Sequence, residues 1–293
     1  MLFIGCEGGF GRDPAPPPVE SFKTGTGSLD MSFMRNAPPA EVFQKSSNDI
    51  ILRLQNKGAT DIRTGTLRLS YDRGVIELRD ANSRSFDVKG KSAIYPQGES
   101  ILVTFPFTAL TLSTESQVRE TSIVATACFE YETEVLQNVC IDTDPYDLRP
   151  EARADVCQIR DYSPGGTGGP IRVDKIETRF SQDGTEIQPV FTLTISQAGG
   201  RSQQILAPGN AFAYCSSAQF DTSKINIVKI YAELSDIQLT CDRDEINLYQ
   251  QTARITCAGL PVSTTSGSFE APLYIRLNYG VSEVTSHRMR IVR

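Results

Sequence analysis

The sequence predicts an all-β fold: two antiparallel β-sandwich domains behind an extended N-terminal tail. Three observations carry that expectation. Short runs of alternating apolar and polar residues recur along the chain, each bounded by Gly, Pro, Asn or Asp. No long amphipathic helical pattern appears, and only 149–156 has room for one or two helical turns. A Gly/Pro-rich segment then divides the strands into two sets of about seven, the number and spacing expected of sandwiches. At 293 residues the chain is long enough for two such domains. Each would bury ~70% of its unfolded surface and need no metal to fold.

The elements follow in order. Residues 1–26 form the tail, in which Glu7 to Gly11 reads as a flexible tether and Asp13 to Pro18 as a stiff polyproline II stretch. In the first domain, 27–160, strands are expected at 28–34, 50–54, 66–70, 75–78, 101–107, 122–131 and 135–141. Asn56-Lys57-Gly58 and Asp72-Arg73-Gly74 place glycines where turns call for positive φ. The boundary, 161–170, contains Ser163-Pro164-Gly165-Gly166-Thr167-Gly168-Gly169-Pro170; four glycines and two prolines in eight residues read as a linker outside any core. In the second domain, 171–293, strands are expected at 171–180, 190–196, 225–234, 237–241, 253–257, 273–279 and 289–292.

Composition narrows the function classes. Twenty-nine basic against thirty-five acidic residues give a net charge of −6, which argues against nucleic acid as a partner. No apolar run approaches the ~18 residues of a helical membrane span. His287 is the only histidine and there is no tryptophan.

Seven cysteines stand at positions 6, 128, 140, 157, 215, 241 and 257. None forms a CxxC pair, so neither a structural zinc site nor a redox motif is indicated, and no cofactor is called for. Six of them lie in the folded body and fit disulfides, which place the protein in an oxidising, extracellular setting. Alternation on both sides of Glu132-Thr133-Glu134 reads as a hairpin that sets Cys128 opposite Cys140. The segments ending at Cys241 and Cys257 read as a second adjacent pair. Cys157 and Cys215 then pair with each other or stay as buried thiols; the alternative is a reduced protein with six small buried cysteines.

Phe3-Ile4-Gly5-Cys6 matches the end of a bacterial-type lipobox, which makes Cys6 a candidate lipid anchor and membrane tether. Only five residues precede Cys6, without a basic region or a full apolar stretch, so an ordinary tail is the competing reading.

An internal echo supports the two-domain reading. The run Ile50-Ile51-Leu52-Arg53-Leu54-Gln55-Asn56-Lys57-Gly58 resembles Phe191-Thr192-Leu193-Thr194-Ile195-Ser196-Gln197-Ala198-Gly199-Gly200, each an alternating strand closing in a polar residue and a glycine turn. The echo resembles the signature of immunoglobulin-like, cell-adhesion-related (CARDB-like) surface domains. The runs from Met31 to Val42 and from Pro272 to Gly280 are similar to those of a group of archaeal secreted and cell-surface proteins, over most of 27–293. That resemblance implies secretion and two tandem immunoglobulin-like β-sandwich domains, and it brings no catalytic residues.

Chemistry motifs are few. Lys89-Gly90-Lys91-Ser92 resembles the end of a P-loop, but Ser85 stands where its first glycine belongs, so a turn is expected. His287 is expected at an exposed edge of the last strand. Asp142, Asp144 and Asp147 follow a strand with the oxygen chemistry of a Ca²⁺ loop, yet lack the EF-hand glycine and distal glutamate; a solvated acidic loop is expected, with no metal. Asp242-Arg243-Asp244-Glu245 carries its own counter-charge and reads as an exposed turn.

The expected function is therefore non-enzymatic: an extracellular structural or adhesive protein at the cell surface, with protein partners or self-association. One alternative is a subunit of a surface filament, in which Leu2 to Phe10 or Ser21 to Met34 adds a strand to a neighbour. Another is a hydrolase using paired carboxylates.

Overall fold

The computed structural model describes residues 22–113, 116–145, 157–200, 202–216, 219–263 and 267–293. The first half supplies β1 (Leu29–Phe33), β2 (Glu41–Phe43), β3 (Ser47–Asn56), β4 (Ile62–Ser70), β5 (Ile76–Leu78), β6 (Ser83–Val88), β7 (Ser100–Ala109) and β8 (Val118–Ile141). The second supplies β9 (Ile171–Asp183), β10 (Glu186–Gln197), β11 (Gln203–Leu206), the short helix α1 (Ala211–Ser216) and β12 (Ile227–Leu234). After β12 come β13 (Ile237–Gln238), β14 (Thr240–Cys241), β15 (Glu245–Asn247), β16 (Thr252–Ala258), β17 (Val262–Ser263) and β18 (Phe269–Val292). Among the described residues no helix is long and apolar enough to cross a membrane.

These strands form three sheets. A four-stranded sheet in the order β1-β3-β7-β5 belongs to the first half. A five-stranded sheet belongs to the second, with β10 inside it, between β9 on one edge and β16 and β17 on the other. The echo noted in the sequence thus falls on matching strands, because β3 and β10 are each an inner strand of the smaller sheet in their half.

The nine-stranded third sheet runs β13-β12-β18-β8-β4-β6, with β2 and β11 also on β18 and β15 on β12. Its spine is the antiparallel pair β8–β18, in register from Val118↔Val292 to Ile141↔Phe269. The N-terminal part of β8 carries β4, from Ser70↔Val124 to Gly65↔Phe129. The N-terminal part of β18 carries β12, from Leu234↔Leu273 to Lys229↔Asn278. Within this one sheet, each half's last strand therefore begins among strands of its own half and ends among strands of the other's. The exchange is reciprocal, with its midpoint near Glu130↔Gly280.

Strict alternation makes these strands long. On β8 the side chains of Ile123, Ala125, Ala127, Phe129, Tyr131, Val135, Val139 and Ile141 are buried, and on β18 those of Leu273, Ile275, Leu277, Tyr279, Val281, Met289 and Ile291. One continuous hydrophobic cluster collects residues from all three sheets, so both halves share a core.

The ladder corrects the expected hairpin. Residues 122–131 and 135–141 are one strand, because Glu132-Thr133-Glu134 continues the pleat. Thr133 points inward, its Oγ1 2.6 Å from the Tyr279 hydroxyl. Cys128 and Cys140 consequently lie on the same strand. At ~3.3 Å per residue they are roughly 40 Å apart, far beyond bridging distance. The observed disulfides are Cys128–Cys215, Cys140–Cys157 and Cys241–Cys257. Only the last matches an expected pair, with Cys241 opposite Cys257 across β14–β16. Segments 273–279 and 289–292 likewise join into one strand.

Two further expectations change. Neither Gly58 nor Gly74 has positive φ; Gly58 is required for space, since a Cβ there would stand 1.8 Å from the Tyr131 hydroxyl. The segment 161–170 is also no bare linker. Tyr162 exchanges both backbone hydrogen bonds with Ile176, Gly165 bridges to Val173, and Thr167 bridges in parallel to Gly25. Gly168, Gly169 and Pro170 are buried. The segment is a strap laid across the ladder, and small residues let it approach that closely.

Candidate functional site

The solvent-facing side of β12, β18 and β8 presents a connected set of polar and aromatic side chains. Its rows follow from register. Lys229, Asn278 and Glu132 lie side by side; Tyr231, Arg276 and Glu134 form the next row, and Glu233, Tyr274 and Leu136 the one after. Alternation sends the intervening residues to the core, so this face is set by the same period that builds the sandwich.

Arg276 holds the centre. Its guanidinium lies 5.2 Å from the Tyr231 ring centroid and 5.7 Å from that of Tyr274, and its Nε is 3.9 Å from Glu132. Glu134 accepts from Lys23 Nζ at 2.7 Å and from the Tyr274 hydroxyl. The two glutamates diverge for this reason. Partial burial, followed by the neighbouring Glu134 charge, pushes the Glu132 carboxyl above its ordinary range. Burial acts upward on Glu134 too, but the hydrogen bonds from Lys23 and Tyr274 outweigh it and hold that carboxyl low.

Beside this face, where the halves meet, runs an open groove of about 660 Å³ lined by residues from both: Asp61, Arg63, Glu130, Glu132, Lys229 and Asn278 among them. Its acids are engaged. Asp61 accepts from Gly90 N at 2.8 Å and pairs with Lys89 at 3.3 Å. Glu130 accepts from Gly209 N and Ala211 N, fastening the start of α1. By contrast, the side chains of Arg63, Lys229 and Asn278 have no hydrogen-bond or ion-pair partner among the described residues.

The remaining predicted residues fall elsewhere. The disulfide Cys128–Cys215 pins α1 onto the outer face of β8, over a small apolar cluster with Leu206 and Ala211. Cys6 and Asp147 lie outside the described residues, as does 149–156. Asp142 is occupied by its own loop, accepting from Asp144 N at 2.9 Å. Among the described residues no cluster of three His, Cys, Asp or Glu side chains has metal-binding spacing. His287 is not an exposed edge residue: it faces inward, half-buried, with its ring centroid 5.4 Å from that of Phe33. Lys89 and Gly90 meet Asp61, Lys91 reaches Thr24 O at 3.2 Å, and Ser92 accepts from Tyr95 N, so this stretch is a turn. Asp242 pairs with Arg243 at 3.2 Å, while Glu245 opens β15.

The groove was not legible in the sequence, because its residues come from four separate strands and loops. The one available signal was the charged alternation Glu130, Glu132, Glu134 on a single strand.

No protein family matches the chain, and no curated protein matches it in sequence. Solved structures resemble it only distantly. A secreted serine protease, VesC from Vibrio cholerae, is 8% identical with a TM-score of 0.23, covering 89% of this chain and 51% of that one. The chain thus spans about half the length of VesC. The YadV chaperone is 11% identical with a TM-score of 0.19, covering 84% and 98% of the two chains. The N-terminal region of an enterococcal surface protein is 7% identical with a TM-score of 0.21, covering 92% and 87%.

Proposed function

We propose that the protein is a non-enzymatic extracellular module, structural or adhesive, that acts as a rigid spacer at the cell surface. The observation that carries this reading is the reciprocal exchange of β8 and β18, which makes both sandwiches one body. Two strands crossing the junction, rather than one flexible connection, resist bending between the halves. Three disulfides add cross-links of the kind that persist in oxidising compartments. The state of the groove carboxylates also supports a non-catalytic role. A general acid or base needs a carboxyl free to exchange a proton with substrate, whereas Asp61 and Glu130 are held by backbone amides and Lys89, and Glu132 faces the Arg276 guanidinium at 3.9 Å.

The test is antibody labelling of intact cells of the native source, with thiol alkylation before lysis. Labelling without permeabilisation, with the six body cysteines protected from alkylation, is the expected result. An intracellular protein with free body thiols would overturn the reading.

A further inference from the structure

We propose that the groove between Arg63 and Lys229 is a binding site for an acidic saccharide, held through its carboxylate. The inference deepens the adhesive reading and rests on it for the extracellular location.

The charge pattern is the first ground. The groove's acids Asp61 and Glu130 are turned to the protein's own amides and to Lys89, and Glu132 faces Arg276. Arg63 and Lys229, on opposite halves of the molecule, make no hydrogen bond or ion pair among the described residues, although the Arg63 charge acts on Glu132. Both are exposed. Asn278, in the row between Lys229 and Glu132, adds an amide with no side-chain partner. An anionic group entering here meets, along one groove, a guanidinium of the kind that forms paired hydrogen bonds with carboxylates and an ammonium.

The second ground is the groove's form. Its volume of about 660 Å³ lies within the ~300–1,000 Å³ of small-ligand sites. An acidic peptide fits poorly. Peptides dock by adding a strand to an open sheet edge or by filling apolar pockets. Here the floor is formed by β8 and β18, paired with each other; β12 covers β18 as far as Asn278, and past Phe129, where the β4 ladder on β8 ends, the Glu132 carbonyl is taken by the Thr60 hydroxyl at 2.7 Å. Saccharide hydroxyls, which both donate and accept, suit the mixed wall of Asn278, Glu132 and Thr64.

The probe is tetragalacturonate, titrated calorimetrically into the full chain, with the neutral galactose tetramer and tetraglutamate as comparisons. Tetragalacturonate should bind, more weakly as salt rises, with the neutral tetramer and tetraglutamate each at least tenfold weaker. Arg63→Gln and Lys229→Gln should each weaken binding about tenfold, the scale of one charge-assisted hydrogen bond. Arg119→Gln, near the start of β8 and away from the groove, where Arg119 pairs with Asp72, should bind like the parent. No binding at millimolar tetragalacturonate, unchanged affinity in both groove variants, or equal affinity for tetraglutamate would each overturn the proposal. Such a failure leaves surface labelling of cells intact, whereas an intracellular location would remove the extracellular reading whatever the titration shows.

Discussion

Tyr131 and Tyr279 stand directly opposite each other at the middle of the β8–β18 ladder, with ring centroids 6.0 Å apart. Their hydroxyls are anchored differently. Tyr131 donates to Gly168 O at 2.8 Å and accepts from Thr60 N at 3.2 Å, while Tyr279 shares a hydrogen with Thr133. Burial raises both hydroxyl pKa values well above the ordinary tyrosine range, so both stay protonated. Tyr131→Phe should therefore strand the Thr60 amide and cost about 1–3 kcal/mol, read from urea unfolding. A loss within error would mean that the strap is not fastened through this hydroxyl.

Gly168 fits the strap for two reasons, its positive φ of 85° and the absence of a Cβ, which would stand 2.3 Å from Ala59 Cβ. Gly165 has a similar φ of 75° but open space around it. Gly168→Ala should cost roughly 1–3 kcal/mol of packing beyond the ~1–2 kcal/mol of backbone strain that both positions share. Subtilisin, which needs no basic residue, should spare the 162–170 strap in the parent and cut it in Gly168→Ala. Equal losses for the two alanine variants would show that close contact with Ala59 is absent.

Non-reducing peptide mapping should recover Cys128–Cys215, Cys140–Cys157 and Cys241–Cys257. Replacing both Cys128 and Cys215 with alanine should cost about 2–5 kcal/mol and free α1 from the outer face of β8. A peptide joining Cys128 to Cys140 would require the hairpin that the ladder excludes.

Glu283 supplies a pH test. Burial, reinforced by the Asp30 carboxylate, raises its pKa against the hydrogen bonds from Ser202 and Gln203. A raised carboxyl pKa means that folding favours the protonated form. That stability is present below the usual carboxylate range and is lost as pH rises through the raised value. Glu283→Gln should then melt higher than the parent at pH 7, with the gap closing as the pH falls below the usual carboxylate range. A gap that is constant with pH would assign the effect to packing instead.

Alternation made the strands legible in the sequence, and it also contained what the hairpin reading missed. Phe129, Tyr131, Thr133 and Val135 keep period two through the supposed turn, and no Gly, Pro, Asn or Asp interrupts them. Two charged residues flanking a threonine look like a loop only when outward positions are assumed to mark loops; on a two-layer sheet they mark the solvent face. The strap was misread for the converse reason. Glycine and proline signal flexibility in isolation, but Gly168 and Gly169 lie where the ladder leaves no space for a side chain. The groove needed three dimensions, since Arg63 and Lys229 come together only once the strands are exchanged.

The unbroken course of β8 through both halves is the central claim, and a distance tests it. Spin labels carried on unnatural amino acids at Ser122 and Asn138, both exposed, would be measured by pulsed electron paramagnetic resonance. A continuous strand places them roughly 50 Å apart at ~3.3 Å per residue. A hairpin at 132–134 would bring them to within about 20 Å, allowing ~5 Å between paired strands and the rise of a few residues, and that result would contradict the exchange of strands.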